Sequence, residues 1–322
     1  MGSVVRSLGC LALIATTASA QTTADPRDAL VVSTAWLAQH LKDPGLVVLF
    51  LGDDNEYNKQ HIPGSYNVQI EDIAYDTSGL NLQVLPAERL REKLGAFGIT
   101  NRSRIVVAAG KDFLEYGTRA VLTLDRAGLG DRTSLLDGGT AAWIKEGKEV
   151  SAVVPPKRPS ALEALQLKPI IVDAEFVKAH VGKAGVSIVD GRAPAFYQGV
   201  STGGGQSGQH RPGHIPSAKS VPYTSPYSSD GFLLPTAELR ALFEKAGVAP
   251  RDTVIGYCHI GLQATAMLFA ARVARASGAS VRRLVRGLVA AAAGGSVSGR
   301  NGPSLVGVRV ELHRTMQFDS DP

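Results

Sequence analysis

The chain reads as an α/β protein made of two tandem domains, each a parallel β-sheet flanked by helices. Three observations predict this. Short apolar, β-branched runs alternate with Ala/Leu/Glu-rich segments of helical composition, the pattern of parallel strands joined by crossover helices. The segments recur in the same order: Val32–Leu37 reads like Val172–Val177, Leu46–Phe50 like Val186–Asp190, and His61–Ser65 like His214–Ala218. Leu85–Glu88 then matches Leu234–Ala237, and Arg104–Val107 matches Thr253–Gly256. Finally, 322 residues exceed what one hydrophobic core usually organises.

In chain order, residues 1–20 have the make-up of a secretory signal. Arg6 gives the positive flank, Leu8 to Ala15 a short apolar core, and Ala18-Ser19-Ala20 a small-residue cleavage site. That core is too short to span a bilayer, and a lipoprotein reading through Cys10 is disfavoured by the few apolar residues before it. The expectation is a soluble protein, periplasmic or secreted after cleavage near Ala20. Cleavage removes Cys10 and leaves Cys258 as a lone thiol, so no internal disulfide can form. A lone thiol in an oxidising compartment is either paired between molecules or reactive.

The first domain covers 30–152. The repeat register puts Ala109 opposite Cys258, so this half has no nucleophile. Lys111, Asp112 and Glu115 in the following segment read as a solvated loop with carboxylates where an anion would have to sit. Residues 153–168, opening Val153-Val154-Pro155-Pro156, have the composition of a stiff exposed linker.

The second domain covers 169–275 and centres on Thr253–Val273. Thr253–Tyr257 has strand character, Cys258–Gly261 breaks it, and Ala264–Ala276 resumes as a helix apolar on more than one face. Cys258 therefore falls at the carboxyl end of a strand, facing the start of a helix. Loop N–H groups and the helix dipole favour an anion there, which predicts a lowered thiol pKa and a thiolate. A small buried core cysteine is the competing reading.

Cys258-His259-Ile260-Gly261-Leu262-Gln263-Ala264 resembles the active-site loop of rhodaneses, the sulfurtransferases that use thiosulfate or 3-mercaptopyruvate. The duplicated His-Ile-Pro segments and Asp137-Gly138-Gly139 with Trp143 support the resemblance, which spans roughly 30–275. It implies two rhodanese-like domains, the first inert and forming one wall of the cleft. It implies Cys258 as the sulfur carrier, with thiosulfate as donor and cyanide or a thiol as acceptor. Arg192, from the strand-end Asp190-Gly191-Arg192, matches an arginine that holds the substrate's oxyanion. Its other reading is a brace paired with Asp190. His259, Ile260, Gly261 and Gln263 complete the substrate-binding set, with His259 at the pocket mouth. His259 and Ile260 fit neither the thiosulfate nor the mercaptopyruvate form of the loop cleanly, and Arg192 tips the expectation toward thiosulfate.

Other chemistries fit less well. His180, His210, His214 and His259 match no zinc spacing, so no metal and no cofactor are expected. His61 survives in the half without a nucleophile, so a structural role is expected for it and for His214. A cysteine phosphatase needs an arginine six positions beyond its cysteine, and Ala264 stands there. The glycine-rich stretch 199–208 lacks the strand and helix of a phosphate loop and reads as a surface loop. A thiol oxidoreductase lacks a second cysteine. A non-catalytic binding module, or an inactive pseudo-enzyme, remains the alternative to catalysis.

The tail, 276–322, departs from the repeat. No Asp-Gly or Trp marks a second closing element. From Arg272 onward eight arginines face Glu311, Asp319 and Asp321, and that excess equals the net charge of +5 for the whole chain. The basic balance thus belongs to the tail. With Phe318 its one aromatic, neither nucleic acid nor membrane is an expected partner, and a monomer is anticipated. Its Arg/Ala/Gly/Val composition suggests a reading-frame change from about residue 275, at the cost of the last strand and helix.

Overall fold

The computed structural model describes residues 26–77, 80–202, 212–276 and 288–290. The signal segment, Cys10, most of the glycine-rich stretch, and the tail apart from Ala276 and 288–290 lie outside the described residues.

The first half begins with α1 (Pro26–Leu30), β1 (Val31–Val32), α2 (Thr34–His40) and β2 (Leu46–Leu51). The Ser33 side chain caps α2 by accepting from the Trp36 N–H. Next come α3 (Asp54–Lys59), capped by Asp53, then β3 (Tyr66–Asn67), the antiparallel hairpin β4 (Ala74–Thr77) and β5 (Leu80–Val84), and α4 (Ala87–Ala96). Strand β6 (Arg104–Ala109), helix α5 (Leu114–Arg126), strand β7 (Thr133–Leu136) and helix α6 (Gly139–Lys145) complete the domain. The sheet order is β1-β7-β6-β2-β3, all parallel. Both faces are covered, so β2 and β6 read as continuous apolar runs and are buried over five of six residues.

The second half repeats the plan with α7 (Ala174–Lys178), β8 (Val186–Asp190), α8 (Pro194–Tyr197), β9 (Lys219–Ser220), α9 (Thr236–Lys245), β10 (Thr253–Cys258) and α10 (Gln263–Ala276). With β11 (Leu288–Ala290), its sheet has the parallel order β11-β10-β8-β9. Strand β11 lies beside Gly256–Cys258, as β7 lies beside β6. This corrects the expectation that the chain past 275 supplies no closing strand: a short apolar segment in that register completes the sheet edge.

The repeated histidines are structural, as anticipated. His61 and His214 each stack on a tyrosine, Tyr57 and Tyr197, with ring centroids 3.9 and 3.7 Å apart. In each, Nδ1 contacts that tyrosine's backbone carbonyl, at 2.7 and 2.8 Å. The partners are 4 residues apart in the first domain and 17 in the second, yet the contact is the same.

The linker is a strap. Val153 and Val154 are exposed, but Leu162 is buried, the Ser160 N–H donates to the Gly95 carbonyl at 2.9 Å, and the Lys168 N–H donates to Arg126 at 2.7 Å. One apolar cluster runs through both halves, joining Leu124 and Leu129 of the first to Val254, Met267 and Phe269 of the second. Helices α5 and α10 pack face to face across this boundary, so both are buried on more than one side.

Candidate active site

Cys258 ends β10, and the chain then turns through His259–Leu262 into α10. The turn depends on glycine at two points. Gly261 has φ +78°, in the left-handed region that side chains disfavour. Gly191, after β8, passes so close to the start of α10 that a Cβ would sit 3.1 Å from the Ala264 Cα. The loop thereby folds over the sulfur. The Gly261 N–H donates to Cys258 Sγ at 3.2 Å, and the amides of Ile260 and Ala264 also face it.

These donors form a cradle for an anionic sulfur, yet the thiol itself is almost fully buried. Burial pushes the Cys258 thiol up, the three amides pull it down, and the Asp190 carboxylate adds to the rise. The lowered pKa expected from strand-end position alone is thus corrected: desolvation outweighs the amides in the ligand-free site.

Arg192 also differs from expectation. Its guanidinium is buried and bound to Asp190, with Nε 2.9 and 3.0 Å from the two carboxylate oxygens and Nη2 2.6 Å from Oδ2. Nη2 further donates to the Gly213 carbonyl at 2.8 Å. Burial alone would lower its pKa, but the Asp190 hydrogen bonds and charge reverse this and hold it above the usual arginine value. The bracing reading describes it, because a carboxylate two residues away reaches it first. Its Nη1 lies 3.1 Å from His259 Nε2. His259 is buried beneath this contact and packs edge-on against Phe196, 4.7 Å between ring centroids, so it forms wall and not mouth. Ile260 and Gln263 are half-buried, with Gln263 near enough to Tyr223 to influence its phenol. The structure therefore gathers Cys258, Gly261, Ile260 and Ala264 around one sulfur, and uses Arg192 and His259 as support.

The first domain carries the same strand–loop–helix in another state. Its loop amide at Lys111 donates to the Glu56 carboxylate, 3.0 Å to Oε2, and Thr140 Oγ1 donates to Oε1 at 2.9 Å. A built-in carboxylate from α3 thus occupies the donor position after Ala109. Asp112 and Glu115, expected to crowd that place, do not provide it. Glu115 is half-buried, not solvated, and burial raises its pKa, with the Asp112 charge adding to the effect.

Two residues of the first domain reach the cysteine loop. Thr118 Oγ1 lies 2.8 Å from Thr265 Oγ1, and Arg119 Nη1 donates to the Gly261 carbonyl at 2.8 Å. Neither stood out in the sequence, because the first domain lacks a nucleophile. The available signal was an arginine in the helix stripe with Ala120, Val121 and Leu124, where a charge has to find a partner. Among the described residues no group of three or more His, Cys, Asp or Glu is placed to hold a metal, and no helix is long and apolar enough to cross a membrane.

The family described as Rhodanese-like domain matches residues 33–146 and again 173–293, the second match running through β11. Among similar proteins, the sulfur carrier protein TtuD of Thermus thermophilus is 29% identical over 241 residues, covering 72% of this chain and 82% of its own. The thiosulfate sulfurtransferase of Rattus norvegicus is 28% identical, covering 75% and 85%. A probable 3-mercaptopyruvate sulfurtransferase of Pseudomonas aeruginosa is 29% identical, covering 76% and 89%. Among solved structures, Escherichia coli SseA, a 3-mercaptopyruvate sulfotransferase with the rhodanese fold, superposes with TM-score 0.68 at 24% identity, covering 82% of this chain and 99% of its own. EanB in complex with ergothioneine gives TM-score 0.69 at 18% identity, and this chain spans 65% of that longer one.

Proposed function

Since the chain belongs to the rhodanese-like family through both of its domains, we propose that it is a sulfurtransferase whose sulfur carrier is Cys258. The observation that carries this reading is the ring of amides from Ile260, Gly261 and Ala264 around a lone buried thiol.

The chemistry is two-step covalent catalysis. The Cys258 thiolate attacks the outer sulfur of thiosulfate. The S–S bond of the donor breaks, and sulfite leaves with its electron pair. The new terminal sulfur carries negative charge, which the loop amides stabilise in a site closed to water. A thiol or cyanide then attacks that sulfur, and Cys258 returns as thiolate.

The second donor reading is 3-mercaptopyruvate, and the state of Arg192 favours it. A guanidinium neutralised by Asp190 offers little to a doubly charged donor. Relatives of both kinds fit the chain equally well.

The test is sulfite release from thiosulfate and pyruvate release from 3-mercaptopyruvate, with cyanide or dithiothreitol as acceptor and Cys258→Ala as control. Turnover with either donor that vanishes in the variant supports the reading. A folded protein inert with both donors would sink it and leave a binding module. We also propose export with cleavage after Ala20, on the composition of residues 1–20. N-terminal sequencing of the protein from its native cell would show Gln21 first, and a retained Met1 would end that idea.

A further inference from the structure

We propose that Arg119, a first-domain residue, is a positioning residue of the second domain's sulfur site: it fixes the Gly261 turn over Cys258 and supplies the cation facing the anionic sulfur. This rests on the reading of Cys258 as sulfur carrier.

Arg119 lies within α5 and is 1% exposed. Its Nη1 holds the Gly261 carbonyl at 2.8 Å, while the Gly261 N–H holds Cys258 Sγ at 3.2 Å. One residue is thus clamped between the guanidinium and the sulfur, and its positive φ leaves it no side chain with which to hold itself in place. Nη2 donates to the Leu82 carbonyl on β5. Leu82 itself has φ +52°, an unfavourable conformation for leucine that aims this carbonyl. Two backbone carbonyls from two domains therefore aim the guanidinium, and among the described residues Nε is buried without a hydrogen-bond partner. No carboxylate hydrogen-bonds the guanidinium among the described residues. This contrasts with Arg192, whose charge Asp190 neutralises.

Burial lowers the Arg119 pKa to about 10, so it stays cationic at neutral pH, and the Cys258 charge couples to it directly. Other groups act around the pair. Asp190 opposes ionisation of Cys258, and Arg126 on α5 repels Arg119. Glu115 stands one turn away on α5 and interacts with Tyr223, and His259, next to Cys258 in the chain, contacts Arg192. The Arg119 charge thus feels that of Cys258, while Asp190 acts on the sulfur in the opposite sense.

The experiment uses the full chain as wild type, R119Q and R119K. It reads the rate at which iodoacetamide alkylates Cys258 against pH, with the modified peptide identified by mass so that Cys10 does not interfere. Thermal unfolding and the rate of Cys258 persulfide formation from thiosulfate are followed alongside. R119Q is expected to move the alkylation midpoint up by about one pH unit and to slow persulfide formation about tenfold at fixed pH. R119K, which keeps the charge, is expected to hold the midpoint near the wild-type value. A folded R119Q with the wild-type midpoint overturns the proposal, and so does R119K shifted as far as R119Q. Failure of both variants to fold overturns it in favour of a purely structural pillar. A shifted midpoint in a protein that forms no persulfide leaves the proposal standing and removes the sulfur-carrier reading instead.

Discussion

Burial and backbone amides pull the Cys258 thiol in opposite directions, and their balance sets how its chemistry depends on pH. With burial the larger effect, the free thiol stays protonated at neutral pH and ionises above the ordinary cysteine range. Alkylation and first-step sulfur transfer should therefore keep rising with pH past the ordinary cysteine value of about 8.5. A stopped-flow pH profile already flat at neutrality would contradict this. The same raised value has a stability consequence: the buried neutral thiol favours the fold below the unfolded-state pKa, and that contribution is lost as pH rises through the folded one. Glu115 behaves alike at lower pH. Its raised pKa means that ionisation opposes folding, so Glu115→Gln should raise Tm modestly at neutral pH. The gain should vanish below the ordinary carboxylate range, where both proteins carry a neutral side chain. Melting curves at pH 7 and about pH 3 would show it, and equal gains at both would assign the effect to packing.

At the scale of elements, the two strand–loop–helix units show what one architecture does with different occupants. The second presents its amides to a sulfur, and the first closes them on Glu56. Both loops turn on a left-handed residue at the same register, Asp112 at φ +62° and Gly261 at φ +78°, so the turn is shared and the occupant differs; in the second domain glycine takes that turn without the strain a side chain brings. Gly261→Ala should cost about 1–3 kcal/mol of stability and most of the sulfur transfer. Unfolding midpoints combined with persulfide formation would check it, and an unchanged rate would mean the loop amide is dispensable. Much of this pattern was legible in the sequence. The β-branched runs gave the strands, the duplicated segments gave the domain order, and Cys258 gave the loop. What was not legible was competition for charge. Sequence spacing shows that Asp190 is near Arg192 but not that both its carboxylate oxygens take the Nε–Nη2 edge of the guanidinium. A helical stripe shows that Arg119 is buried but not that its partner lies 142 residues away. Strand β11 escaped because three apolar residues in an Ala/Gly-rich run carry no period to read.

For the whole molecule, the contacts crossing between domains are too many and too buried for the halves to behave as beads on a string. The shared cluster joins Leu124 to Met267, and Thr118 meets Thr265. Asp137, at the end of the first domain's β7, pairs with Arg27 at 3.2 Å and accepts the Leu233 N–H at 2.8 Å. Asp125 on α5 receives both Lys168 of the strap and Arg272 of α10. Surface ion pairs contribute little singly, but the apolar layer beneath them is continuous, and exposing it on one half would destabilise the other. Unfolding should therefore be one cooperative transition, and the sequence supplies separate reporters for the two halves. Both tryptophans, Trp36 and Trp143, belong to the first domain, while Cys258 belongs to the second. Trp143 is buried with its indole N–H on the Glu149 carbonyl, so its fluorescence follows first-domain unfolding. Cys258 is buried at the end of β10, so its alkylation follows the second. Denaturant midpoints from the two probes should coincide. If Cys258 became reactive while the tryptophan signal stayed native, the domains would be energetically independent, and the first domain's grip on Gly261 would be too weak to shape the site.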